Sequence, residues 1–240
     1  MLHKMFLRPI IYLFFLLLTN SLRAQTSIGL EGGFSSNSFS TAISNRVSTQ
    51  IFSGKGFDGT VSVRHRLFSW LYITATPTLL QKNYSIERTD SFYGIGQHYR
   101  NTFVQLPIGL SLVYGKRFRV SIDPGLYLGY WLSGRVEGGI ANIFGVIDST
   151  GSSGQTTERF PISNYNESYQ FQNRRDNRWQ WGWVLGVGAQ YRVSGNYWLI
   201  GNTRYYRSLT SQEKPITGMG PSYNTTWTFS AGVMWEIGNH

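Results

Sequence analysis

Hydrophobic and polar positions alternate along this chain with a period of two. From Val104 onward, Val104, Leu106, Ile108, Leu110, Leu112 and Tyr114 share one parity, and Gln105, Pro107, Gly109, Ser111 and Val113 share the other. Successive side chains of a strand point to opposite faces, so one face of this segment meets an apolar medium. The next stretch repeats the pattern, with Phe118, Val120, Ile122, Pro124, Leu126, Leu128 and Tyr130 set against Arg119, Ser121, Asp123, Gly125, Tyr127, Gly129 and Trp131. Only Gly115, Lys116 and Arg117 separate the two, the length of a hairpin turn. The same test predicts eight strands: Thr26–Ser35, Phe57–Arg66, Leu71–Tyr84, Tyr99–Tyr114, Phe118–Arg135, Trp179–Arg192, Trp198–Leu209 and Thr225–Ile237. The first and seventh are the least regular, because Gly32, Gly33, Ile200 and Thr203 blur their faces.

The connections alternate long and short. Ser36–Gly56, Ser85–His98, Val136–Arg178 and Thr210–Asn224 are long, whereas Leu67–Trp70, Gly115–Arg117 and Val193–Tyr197 are turns. Long loops on one rim, tight turns on the other and an even number of strands define an all-β, eight-stranded antiparallel up-and-down transmembrane β-barrel with short periplasmic turns and long extracellular loops. Periodicity by itself leaves a second reading open, a soluble secreted barrel with its apolar face turned inward. Three features favour lipid outside. Aromatics gather near the short turns (Trp70, Tyr72, Tyr114, Phe118, Tyr191, Trp198, Trp235) and again near the long loops (Tyr99, Tyr130, Trp179, Trp181, Tyr205, Trp227), as interface girdles do. The polar face carries Arg64, Arg66, Arg119, Asp123, Arg204 and Glu236 among glycines, which suits a narrow lumen. The third feature is the N-terminus.

There, His3, Lys4 and Arg8 precede an apolar run, Ile10–Leu18, that is too short to span a bilayer with ease, and a polar exit ends at Ala24. This is the pattern of a signal peptide over residues 1–24, with a barrel domain over 25–240; an uncleaved anchor helix is the competing reading. Cleavage would remove three of the 22 Lys and Arg and none of the 12 Asp and Glu, so that 216 residues with a formal charge of +7 remain. The composition, 16% aromatic with 27 Gly and only 14% charged, excludes a disordered chain or a coiled coil. The absence of Cys removes disulfide scaffolds and thiolate metal sites.

Candidate chemistry is sparse. An eight-stranded barrel is just wide enough for side chains to fill it, so Arg64, Arg66, Arg119, Asp123, Arg204 and Glu236 are expected as a lumen charge network; a basic constriction for anions is the alternative. A lipid-modifying enzyme would need a His with Ser, Asp or Glu at the outer rim, and His98, with Asp90 and Ser91 in the same loop, is the single candidate. Neither a triad spacing nor a metal-ligand spacing is present, so no catalytic residue, metal or cofactor is expected. The basic excess forms no dense stripe, which excludes nucleic acid. Arg174, Arg175 and Arg178 cluster before the sixth strand, where they would meet lipopolysaccharide phosphates or a protein partner, or else pair with Asp176. The long loop over 136–178 holds Phe144, Phe160, Tyr165, Tyr169 and Phe171 among Gly, Ser, Thr and Asn, which suits docking on a partner or folding over the barrel mouth; with the outer ends of neighbouring strands it is expected to form a protein-contact surface.

The stretch Thr102–Ser133, TFVQLPIGLSLVYGKRFRVSIDPGLYLGYWLS, resembles the central hairpin of the PorT-type outer-membrane β-barrel family of Bacteroidota. Trp181–Arg192, WGWVLGVGAQYR, resembles its Gly-x-x-x-Gly-x-Gly strand, and Arg204-Tyr205 its recurring Arg-Tyr pair. The ending Ile237-Gly238-Asn239-His240 departs from the outer-membrane habit of finishing on an aromatic residue. The resemblance implies a small barrel in the bacterial outer membrane, in contact with lipid and lipopolysaccharide. It further implies a structural or accessory role in an envelope assembly with other envelope proteins, type IX protein secretion being the role of the member that names the family. A narrow, porin-like solute channel is the alternative function.

Overall fold

A computed structural model describes residues 25–43, 48–89, 95–141, 147–150, 156–159, 161–214 and 219–237. The expected signal peptide, Met1–Ala24, lies outside the described residues, as do Asp90, Ser91, Phe144 and Phe160. The strands in chain order are β1 (Thr26–Ile43), β2 (Thr49–Arg66), β3 (Leu71–Ala75), β4 (Thr78–Gln81), β5 (Tyr84–Arg88), β6 (Gly96–Gly115), β7 (Phe118–Ala141), β8 (Ile147–Thr150), β9 (Thr156–Arg159), β10 (Ile162–Ser168), β11 (Trp179–Ser194), β12 (Tyr197–Ser208) and β13 (Met219–Ile237). Each wall strand pairs antiparallel with the next, and β13 pairs with β1 from Thr26↔Ile237 to Ile43↔Met219, so the sheet closes on itself. Closure removes the edges, the condition a sheet must meet to sit in hydrocarbon.

β3, β4 and β5 together form the third wall position, because each lies between β2 and β6. The breaks between them have a local cause. Pro77 has no N–H to give the ladder, and the adjoining Thr76 N–H donates across to Pro107 O at 2.9 Å. At the second break the Asn83 side chain stands in for the ladder: its Nδ2 donates to Lys55 O at 2.8 Å and its Oδ1 accepts from Asn101 N at 3.1 Å.

Exposure decides the sense of the barrel. Leu30, Ile108, Leu126, Val187 and Val233 are 51–64% exposed, whereas Glu31, Arg64 and Arg204 are 3–4% exposed and Lys82 is fully buried. Apolar side chains therefore face outward and charged ones inward, which is the arrangement for lipid and the reverse of a soluble barrel. The aliphatic run Val120–Leu128 rises about 20 Å along the axis at a ~40° tilt, which fits the apolar band of an outer-membrane barrel.

The strands outrun that band. Ser36–Gly56 was expected to be a loop, yet β1 continues to Ile43 and β2 begins at Thr49; likewise β7 runs on to Ala141, and the 136–178 segment contains the β8–β9 hairpin and β10. From Leu132 to Ala141 the wall rises about 20 Å further, by the same geometry. β10 pairs with β7 from Ile162↔Ala141 to Ser168↔Arg135, and β11 resumes on β7 at Trp179↔Tyr130. Residues 169–178 are thus an excursion inserted where the wall leaves the membrane.

Candidate functional site: the lumen and its cap

Inward parity places polar side chains in tiers along the lumen. Nearest the short turns, Arg119 Nη1 donates to Glu236 Oε1 at 2.5 Å, and its guanidinium lies 3.8 Å from the Trp198 ring. Trp198, Ile200 and Met234 pack beside that pair. In the middle, Glu31 accepts from Arg204 Nη2 on both carboxylate oxygens at 2.8 Å, from Asn202 Nδ2 at 2.8 Å and from Ser230 Oγ at 3.0 Å. Arg64 Nη2 stands 3.8 Å from Asp123 Oδ2, and Asp123 also accepts from Ser111 and Ser121. The gap lined by Arg64, Thr74, Asp123 and Arg204 is about 20 Å³, room for about one water.

The outer tier is apolar and aromatic around one cation. Lys82 Nζ donates to Gln180 Oε1 at 3.1 Å and lies 4.7 Å from the Phe103 ring centroid and 5.2 Å from that of Tyr127. Trp131 stacks on Phe103 at 5.8 Å, and Tyr127 meets Tyr206 edge-on. Ion-dipole and cation–π contacts replace a carboxylate here.

The excursion 169–178 folds back over the mouth. Tyr169 and Phe171 pack on Trp131, each with centroids 4.9 Å away, and Tyr169 meets Tyr99, which stacks on Tyr84 and through it on Phe39. Asp176 pins the fold: it accepts from Tyr169 Oη at 2.8 Å, from Gln172 N at 2.7 Å and from Arg175 Nε at 3.0 Å. The segment after β12 closes it from the other side, with Asn177 N donating to Gln212 O at 2.9 Å and Lys214 N to Arg175 O at 2.7 Å. Burial pushes the Glu213 carboxyl above the ordinary carboxylate range, with Arg175 opposing the shift and Asp176 reinforcing it. Tyr169 is raised by burial and by its bond to Asp176.

The charged residues singled out in the sequence therefore have distinct places. Arg64, Arg119, Asp123, Arg204 and Glu236 face the lumen as separate pairs. Arg66 does not join them: at the short-turn rim it donates to Gln25 Oε1 at 2.8 Å. Of the arginine cluster, Arg175 is engaged with Asp176, and Arg178 with the carbonyls of Trp131 and Leu132 and the rings of Tyr130 and Phe171; Arg174 is exposed. Tyr169 and Phe171 are spent on the cap and do not present a free surface. Sequence reasoning missed Glu31, Lys82 and Gln180, although Glu31 shares its parity with buried Ser27, Ser35 and Asn37.

His98 is exposed on β6, in register with Ser85 and Glu137, and lines an open cleft of about 460 Å³ with Arg88, Tyr165 and Asn166. Among the described residues no three His, Asp or Glu side chains converge as a metal site, and no helix is long and apolar enough to cross a membrane.

These features define a closed, lipid-facing antiparallel barrel of the bacterial outer membrane. The family of the outer membrane protein beta-barrel domain matches residues 21–212, and the chain belongs to it. No curated protein matches the sequence. The fold is similar to that of the outer membrane protease OmpT from Escherichia coli, with a TM-score of 0.51 at 10% identity over 90% of this chain and 97% of that one. OprG from Pseudomonas aeruginosa gives 0.49 at 11% identity over 90% and 98%. Neisserial surface protein A gives 0.48 at 14% over 88% and 97%. At such identities the likeness is one of fold alone.

Proposed function

We propose that this barrel is a non-catalytic, non-conducting component of an outer-membrane assembly, acting through its extracellular wall and not through its lumen. One observation carries the reading. Ion pairs fill the lumen from Arg119–Glu236 to Arg204–Glu31, and the Tyr169–Phe171–Trp131 packing closes the mouth above them. A conduit needs the opposite. What remains available is the wall beyond the membrane: the polar, exposed strand β10, and Arg174 on the cap, which suits an envelope protein or lipopolysaccharide phosphate. The likeness of Thr102–Ser133 to PorT-type barrels supports type IX protein secretion as the assembly.

The test is the secreted and surface protein profile of a clean deletion strain against wild type. Loss of exported cargo, with precursors held in the periplasm and export restored by complementation, is the expected result. An unchanged profile would contradict the secretion role.

A further inference from the structure

The short-turn rim has a chemistry the proposed function does not use. A concavity of about 720 Å³ opens at the base of the barrel, floored by Tyr72 and Val113 and walled by Arg66, Lys116, Arg117, Arg119 and Arg192. Among the described residues its lining includes five basic side chains, of which Arg119 pairs with Glu236 inside the lumen, and no carboxylate. Glu236 is 4% exposed, turned into the lumen and away from this opening. Like charges that the fold holds on one rim give it a positive potential that draws anions. Trp198 lies between two of the guanidiniums, 3.8 Å from Arg119 and 5.7 Å from Arg192, and Arg192 Nε donates to Gly195 O at 2.6 Å. The Arg192 N–H donates to Arg117 O at 2.9 Å, which fixes the β11 end against the β6–β7 turn.

The position of the cluster selects its ligand. The Arg117 guanidinium sits 5.5 Å from the ring of Tyr191, a lipid-facing side chain, and Trp70, Tyr114 and Phe118 are exposed on the same rim. The cations therefore stand at headgroup level, where arginine and lysine bind phosphate oxygens through charge-assisted hydrogen bonds. We infer that this rim is a binding site for a phosphate group, presented by an anionic lipid headgroup of the facing leaflet or by a soluble phosphate.

The test is a titration of the purified barrel in a phosphate-free glucoside detergent, read by tryptophan fluorescence. The probes are dihexanoyl phosphatidylglycerol, inorganic phosphate, and dioctanoyl glycerol as a neutral control. Saturable binding of the phosphatidylglycerol alone assigns the site to lipid, and equal binding of inorganic phosphate assigns it to the soluble source; both outcomes support a phosphate site. In the double variant Lys116→Gln/Arg117→Gln, binding should weaken about 25-fold, at roughly fivefold per cation. Added sodium chloride should weaken wild-type binding, a readout that does not depend on the variant folding. Binding of neither phosphate probe, equal binding of the neutral control, or indifference to salt would overturn the inference.

Discussion

The Glu31–Arg204 pair offers the sharpest test of how the lumen is held together. Both side chains are at most 5% exposed, and Glu31 takes two of its four hydrogen bonds from Arg204. Arg204→Met removes those two charge-assisted bonds, worth about 1.5–3 kcal/mol each. It leaves a buried carboxylate with only Asn202 and Ser230. The cost agrees with the roughly 3–5 kcal/mol found when one partner of a buried ion pair is deleted. For a chain of this size that is a fall of about 6–20 °C in Tm. Glu31→Leu should cost a similar amount, because it strands the guanidinium. The double variant Glu31→Leu/Arg204→Met leaves an apolar pair facing the same space, so it should be less destabilised than either single change. Urea titrations in lipid bicelles, followed by tryptophan fluorescence, give the three free energies and hence the coupling. Single variants that cost less than about 1 kcal/mol, or a double variant equal to the sum of the singles, would mean that Glu31 and Arg204 are not energetically coupled.

Two further expectations rest on other parts of the molecule. Gly115 has φ +119°, and a Cβ there would stand 2.0 Å from Phe118 O, so Gly115→Ala should destabilise the β6–β7 turn by about 1–3 kcal/mol; an unchanged urea midpoint would contradict this. Glu213 is a carboxyl raised in the folded cap, so the folded form binds its proton more tightly than the unfolded chain does. The stability it contributes is complete below the ordinary carboxylate pKa and is lost as pH rises through the raised value. Hydrogen exchange of residues 169–178, corrected for intrinsic rate, should therefore quicken as pH rises above the ordinary carboxylate range, and constant protection would contradict the assignment.

Legibility in the sequence followed the physics of each region. Within the membrane, lipid demands apolar side chains at every second position, so Val104–Tyr114 and Phe118–Tyr130 announced their strands and their faces. The same parity exposed Arg64, Arg119, Asp123, Arg204 and Glu236 as inward. Their pairing was not legible, because it depends on the stagger between strands: Arg119 meets Glu236 across 117 positions and Arg204 meets Glu31 across 173. Glu31 itself was masked by the neighbouring Gly32 and Gly33. Lys82 was hidden by inward Leu80, an apolar residue on the polar face, and by the strand breaks at Pro77 and Asn83. Beyond the membrane the outward face meets water and the inward face takes polar side chains as well, so exposed Ser38 and Ser40 and buried Asn37 carried no apolar alternation, and strands that continue past the lipid read as loops. The cap shows the same limit. Tyr169 and Phe171 stood out as aromatics in a polar loop, but only the fold turns them back onto Trp131.

A lumen closed by its own side chains and by the 169–178 cap should pass no ions, and single-barrel recording in a planar bilayer decides whether it does. Reconstituted protein whose insertion is confirmed by protease protection should be electrically silent at both polarities and across salt concentrations. Stable, anion-selective current steps from the intact chain would contradict the closed barrel and establish a channel in its place.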